Sequence, residues 1–141
     1  MINSKVPTEI KLHKKSATLE LAYSNDIRCQ LSAEFLRVHS PSAEVRGHGA
    51  GQETLQVGKK NVNIVAVEPV GNYAIKLVFD DQHDSGIYSW DYLQGLCSNH
   101  DKMWDDYLEK LNSANENRDP FPPGVQVVNI MPLSSEDSPK Q

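Results

Sequence analysis

Two cysteines, Cys29 and Cys97, are all the chain contains, and no CxxC pair is among them. A four-thiolate zinc or iron–sulfur site within one chain is therefore excluded. One disulfide or two thiols stay open, and the reading is two reduced thiols in a cytoplasmic protein. Long apolar runs are lacking, and nothing approaches the roughly 20 residues of a membrane span. The opening "MINSKVPTEI" lacks the apolar core of a signal peptide. Positive charge is also in short supply: 14 Lys and Arg face 19 Asp and Glu, for a formal net charge of −5. Nucleic-acid binding needs clustered cations, and only Lys11, Lys14 and Lys15 gather locally. The expectation is a soluble cytoplasmic chain with no membrane and no nucleic-acid partner.

Catalytic signatures are scarce too. The five histidines, His13, His39, His48, His83 and His100, form no HExxH or HxH pair. "RGHGAG" has glycines suited to a phosphate loop, but no Gly-Lys-Ser/Thr follows and no strand leads in, so it reads as a turn. "HDSGIYSWD" offers His83, Asp84 and Ser85 or Ser89, yet triads join residues distant in the chain, and no GxSxG elbow is present. The chain is read as a non-enzyme.

What is present is a β pattern followed by a helical one. "EIKLHKKSATLELAYS" places Ile10, Leu12, Leu19, Leu21 and Tyr23 at period two around Lys14–Ser16, a hairpin. A strand from Ile27 to Leu31 follows. Ser32 then caps a short helix carrying Ala33, Phe35, Leu36 and Val38, which Pro41 stops. Residues 46–61 read as a loop with a short strand at Leu55–Val57. Ile64, Val65 and Val67 predict a strand, Pro69–Asn72 a turn, and Tyr73, Ile75, Leu77 and Phe79 one face of the next strand. From Ser89 the stripe Trp90, Leu93, Leu96 and Cys97 predicts a helix broken near Gly95. Met103, Trp104, Tyr107, Leu108 and Leu111 continue it after Ser98–His100. The order β-β-β-α-loop-β-β-α gives an α+β fold, a small single domain of mainly antiparallel sheet packed with a short helix and a C-terminal helix. Residues 1–8 read as a lead-in, 9–112 as the domain and 113–141 as a mostly disordered tail, polar but for Val125–Leu133.

"PVGNYAIKLVFDDQHDSGIYSWDYL", together with "FLRVHSPSAEVRGHG", resembles the gamma-butyrobetaine hydroxylase-like N-terminal domain family, in its standalone bacterial form. The resemblance runs from about Thr8 to Leu111. It implies a noncatalytic domain, because the iron and 2-oxoglutarate machinery of the hydroxylases lies in a separate domain. In those enzymes the family domain holds zinc through three cysteines and one histidine. Those positions match Ser40, Ser42, Val45 and His83 here, so the three-cysteine zinc site is not retained. Members fused to iron–sulfur carrier ATPases imply a role in iron handling.

The functional expectation is a noncatalytic metal-binding or metalloprotein-associated module that supports iron–sulfur assembly or iron homeostasis. His83, His48 and His39, with Asp80, Asp81 or Asp84, are the candidate ligands for Fe(II) or Zn(II). The partner expected is an iron–sulfur carrier ATPase or another protein. The alternative is a metal-free interaction domain that recruits an enzyme, with Trp90, Tyr92 and Trp104 as the contact surface. Core packing is the competing role of those three aromatics.

Overall fold

A computed structural model describes residues 6–47 and 53–120. The chain starts with a three-stranded antiparallel meander of β1 (Glu9–His13), β2 (Thr18–Ala22) and β3 (Arg28–Ser32). Period-two alternation sends Leu19, Leu21 and Leu31 inward, and all three are fully buried. Cross-strand partners Leu19↔Leu31 and Leu21↔Cys29 fix the register, since a slip of one residue would turn these side chains out. Thr8 is already tied down, its amide donating to the Ala22 carbonyl at 2.7 Å.

Helix α1 (Ala33–Val38) follows β3 directly, and the Ser32 hydroxyl accepts from the Phe35 amide at 2.9 Å, as its cap position predicts. Every residue of α1 is buried, including Glu34 and Arg37. A one-turn helix α2 (Ala43–Arg46), capped by Ser42, comes next and was not expected from the sequence. The segment at Leu55–Val57 is not a strand; it packs as an irregular strap over Val38, Tyr107 and Leu111.

The second sheet is antiparallel, in the order β4 (Ile64–Val70), β5 (Ala74–Phe79), β6 (Gly86–Ser89). Pro69 lies inside β4 rather than in the turn, which an edge strand tolerates because no amide is needed on its open side. The turn falls at residues 71–73, and the Tyr73 ring covers Gly71, where a Cβ would sit 2.8 Å from the ring. Tyr73 thus leaves the predicted buried face and is 60% exposed, while Ile75, Leu77 and Phe79 stay inside. Strand β6 is an addition to the expected order.

Helix α3 (Trp90–Ser98) runs through Gly95 without a break, and the interruption comes at Asn99, before α4 (His100–Ser113). Both sheets, α1 and α3 close on one core that contains Leu19, Phe35, Leu77, Tyr88, Leu93 and Leu96. On α4, Tyr107 and Leu111 face inward, but Leu108 is turned out of the predicted stripe. Among the described residues no helix is long and apolar enough to cross a membrane.

Two further features depart from the sequence reading. Cys29 and Cys97 are joined as a disulfide, with Cα atoms 6.2 Å apart, rather than held as two thiols. Residues 68 positions apart give no sequence signal for pairing; β3 and α3 bring them together in the fold. Past α4, the Arg118 guanidinium grips both oxygens of the Glu34 carboxylate at 2.7 and 2.8 Å, and the Lys60 amide donates to the Arg118 carbonyl at 2.9 Å. Ordered packing therefore extends to Arg118, inside the expected tail. Residues 121–141, with Val125–Leu133, lie outside the described residues.

Candidate functional site

His83 sits in the loop of residues 80–85 between β5 and β6. The Phe79 amide donates to the His83 carbonyl at 2.9 Å and closes this loop. Across from it runs Ser40–Glu44, delivered by the end of α1 and bent by Pro41 into α2. The two segments are zipped by side chains. The His83 Nδ1–H donates to Glu44 Oε1 at 3.0 Å, so Nε2 carries the lone pair and accepts from the Ser40 hydroxyl at 2.8 Å. Ser40 Oγ in turn accepts from the Ser42 amide at 3.2 Å, and the Ser42 and Ser85 hydroxyls bond at 2.7 Å. Gly86 makes the approach feasible: a Cβ there would lie 2.5 Å from Ser40 Oγ.

An ion cluster supports the loop from below. Asp81 accepts from Arg37 Nε at 2.8 Å and Lys59 Nζ at 2.7 Å, and Arg37 also donates to Gln56 at 2.9 Å. Burial opposes ionisation of Asp81, yet these cations hold its carboxyl below the usual carboxylate range. Burial, reinforced by the Arg37 charge, holds the His83 imidazole below the ordinary histidine value despite Glu44 and Asp81. The ring is therefore neutral at pH 7, which agrees with one nitrogen donating and the other accepting.

Ser40, His83 and Glu44 form a hydrogen-bonded series like that of a hydrolase, but the exposure runs the wrong way. A triad needs an open nucleophile and a buried acid. Here Ser40 is fully buried and packed against Gly86, whereas the Glu44 side chain is 69% exposed. No carbonyl can reach Ser40 Oγ. The series locks two loops and does not attack a substrate.

The family described as "Gamma-butyrobetaine hydroxylase-like, N-terminal" matches residues 10–94. The chain belongs to this family. Two solution NMR structures are similar to it. One is 53% identical, with a TM-score of 0.74, over 90% of this chain and 100% of that one. The other is 48% identical, with a TM-score of 0.70, over 92% and 98%. A crystal structure of a protein of unknown function from Acidithiobacillus ferrooxidans, in the DUF971 family, is 35% identical over 65% of this chain and 92% of that one, with a TM-score of 0.56. No curated protein matches the chain.

The hydroxylase-like family pattern allows a direct fit test for the zinc that the resemblance implies. The four matched positions supply two hydroxyls, a buried valine side chain and one imidazole with both nitrogens engaged. Zinc takes thiolate, imidazole or carboxylate donors. The residues do not fit. Hydrogen bonds occupy the positions that the resemblance would assign to zinc ligands. Among the described residues no group of three or more His, Cys, Asp or Glu side chains is arranged to hold one.

The other candidates have different surroundings. His39 caps α1, its Nδ1 donating to the Phe35 carbonyl at 2.9 Å and its ring centroid 4.5 Å from that of Phe35. Burial, with Lys110, His100 and Arg46 nearby, holds its imidazole below the ordinary value. His48 lies outside the described residues. Tyr92 donates its hydroxyl to the His39 carbonyl at 2.6 Å and accepts from Arg46 at 3.4 Å. Trp90 is half-buried, with Nε1 donating to the Asn72 carbonyl at 2.9 Å. Trp104 is half-buried beneath the Arg118 guanidinium, 5.1 Å from its ring. His39, Arg46, Tyr92, Met103, Tyr107 and Lys110 line a cleft of about 550 Å³ between α2, the strap and α4. Of the expected residues, the fold brings His39 and Tyr92 to this cleft and sets His83 in the neighbouring lock. Glu44, Arg37 and Lys59 were missed, since lone charged residues carry no motif. Ser40 and Ser42 were visible only through the family pattern.

Proposed function

We propose that this chain is a noncatalytic module that recruits a protein partner through the cleft lined by His39, Arg46, Tyr92, Met103 and Tyr107, with the His83 lock serving as a metal-free support. The observation that carries this reading is the inverted exposure of Ser40 and Glu44 around His83. It leaves this buried polar cluster with a structural task. The lock fixes Ser42, which caps α2, and α2 supplies Val45 and Arg46 to one wall of the cleft. Tyrosine, methionine and arginine over an apolar floor are the residue types enriched where proteins meet. The company the family keeps makes an iron–sulfur carrier ATPase the partner class to try first.

A second reading, metal handling for iron–sulfur assembly or iron homeostasis, draws on His39. Its Nδ1 proton is committed to Phe35, which leaves Nε2 as the nitrogen able to ligate Fe(II) or Zn(II). One titration separates the two. Fe(II) and Zn(II) are added anaerobically to untagged protein while the histidine ring signals are followed by NMR. Recruitment without metal predicts unmoved His83 and His39 signals. It also predicts binding of a purified carrier ATPase that Tyr92→Ala weakens. Stoichiometric metal uptake lost in His39→Ala would replace this reading with the second.

A further inference from the structure

The cleft beside His39 has an apolar floor and a cationic rim. Leu55, Met103 and Tyr107 form the floor, and the first two are only half-buried. Arg46 on α2 and Lys110 on α4 stand exposed at the rim. Their charges, with that of His100, all bear on the His39 imidazole, so two walls bring positive charge to one ring. Of the acids at the rim, Asp106 is paired with Lys102 at 3.1 Å, and Glu53 is engaged as well. The volume of about 550 Å³ holds a few side chains and lies in the range of ligand pockets. Apolar side chains followed by carboxylates are what such a cleft fits. The sequence beyond Pro120 holds a run of that kind: Ile130, Met131 and Leu133 are followed by Ser134, Ser135, Glu136 and Asp137. The last described residues also lie close to the cleft. The Arg118 guanidinium is 5.1 Å from the Trp104 ring, the Trp104 and Tyr107 rings are 5.4 Å apart, and Tyr107 lines the cleft. Residues 121–129, at about 3.3 Å each, reach up to about 30 Å, more than these two ring contacts require.

We propose that residues 130–137 dock in the His39 cleft of their own chain and compete there with the protein partner. The competition rests on the recruitment reading given above; the docking does not. Ile130, Met131 and Leu133 cover Leu55 and Met103, while Glu136 and Asp137 face Arg46 and Lys110. A short tether holds the segment at about millimolar effective concentration, so individually weak contacts suffice to fill the cleft. A partner must displace it, and the partner's apparent affinity falls with the fraction of clefts left empty. The partner class is a protein segment of the same chemistry, apolar residues next to carboxylates.

The methionines are Met1, Met103 and Met131, so methyl labelling of methionine gives the full chain three resolvable NMR signals. The expected result is a cross-relaxation peak between the Met103 and Met131 methyls. It should vanish, and the Met103 signal should move, in Leu133→Asp. It should weaken when Glu136→Lys is combined with Asp137→Lys. Urea midpoints of the variants check that the domain is intact. Purified carrier ATPase should bind Leu133→Asp about 3–10-fold more tightly, the gain from emptying a cleft filled in roughly 70–90% of molecules. Absence of the Met103–Met131 peak, with a Met103 signal unmoved by Leu133→Asp, would overturn the docking and leave recruitment to its own Tyr92→Ala test. A peak that fades on dilution would assign the segment to a second copy and overturn it too. Equal ATPase affinity for the two chains would overturn the competition. A persistent peak with no ATPase bound by either chain would uphold the docking and sink the recruitment reading.

Discussion

Gly86→Ala gives the sharpest test of the His83 lock. A strand glycine replaced by alanine ordinarily gains about 0.4–1 kcal/mol, because the unfolded chain loses freedom. Here the new Cβ would sit 2.5 Å from Ser40 Oγ and 3.1 Å from the Tyr88 ring. Overpacking of this kind costs about 1–3 kcal/mol. Displacing Ser40 also disturbs its bonds to His83 and Ser42, each worth about 1 kcal/mol. The expected loss is about 3 kcal/mol, opposite in sign to the backbone effect. Ser40→Ala alone should cost about as much, since it leaves the His83 Nε2 and the Ser42 amide without partners in a buried place. In the double variant the clash with Oγ is gone, and the Ser40 Cβ lies 3.6 Å away, an ordinary contact. The two losses should then fall short of their sum by about 2 kcal/mol. Urea denaturation of the four proteins measures this coupling through the midpoint at constant slope. Additivity within about 0.5 kcal/mol would mean that Gly86 and Ser40 do not share a constraint, and the lock as described would be wrong.

Three further outcomes are expected. Reducing the Cys29–Cys97 bridge, or replacing both residues with serine, should cost about 4 kcal/mol by the loop-closure estimate for a separation of 68 residues; denaturation with and without reductant reads it. Stability should fall as pH drops below about 6.5, because His83 and His39 both have folded-state pKa values held below those of the unfolded chain. Their contribution is present above the unfolded value and lost as pH falls through the folded one. Midpoints between pH 7.5 and 5 check the sign, and His39→Gln should flatten the profile. Arg118→Ala should cost about 3 kcal/mol by stranding the buried Glu34 carboxylate, and truncation after Ser113 should reproduce that loss; equal stability of the truncated chain would show that the residues past α4 are not part of the fold.

Much of the fold was legible because its signals are local. Period-two alternation marked β1 to β3, Ser32 announced α1, and the 3–4 stripe of Tyr107 and Leu111 marked α4. Strand β6 escaped because it is four residues long, starts with glycine and runs straight into the Ser89 cap of α3. Asn99 rather than Gly95 ended α3, since α3 tolerates a glycine with open space around it. The lock was half legible: His83 stood out among its carboxylates, and the family pattern pointed to Ser40 and Ser42. Glu44 did not, because an exposed glutamate in a first helical turn looks like any favourable helix start. The disulfide was misread because cysteine chemistry was inferred from compartment, whereas pairing depends on where β3 and α3 meet.

The change of donors at the lock alters what the fold responds to. A domain closed by zinc has a stability that rises with the logarithm of free metal, and a chelator unfolds it. The lock of Ser40, Glu44 and a neutral His83 contributes no such term. Its equilibrium is coupled instead to the proton, through an imidazole that must stay uncharged to accept from Ser40. Under the metal-free reading proposed above, acidification rather than chelation is the condition expected to loosen the lock.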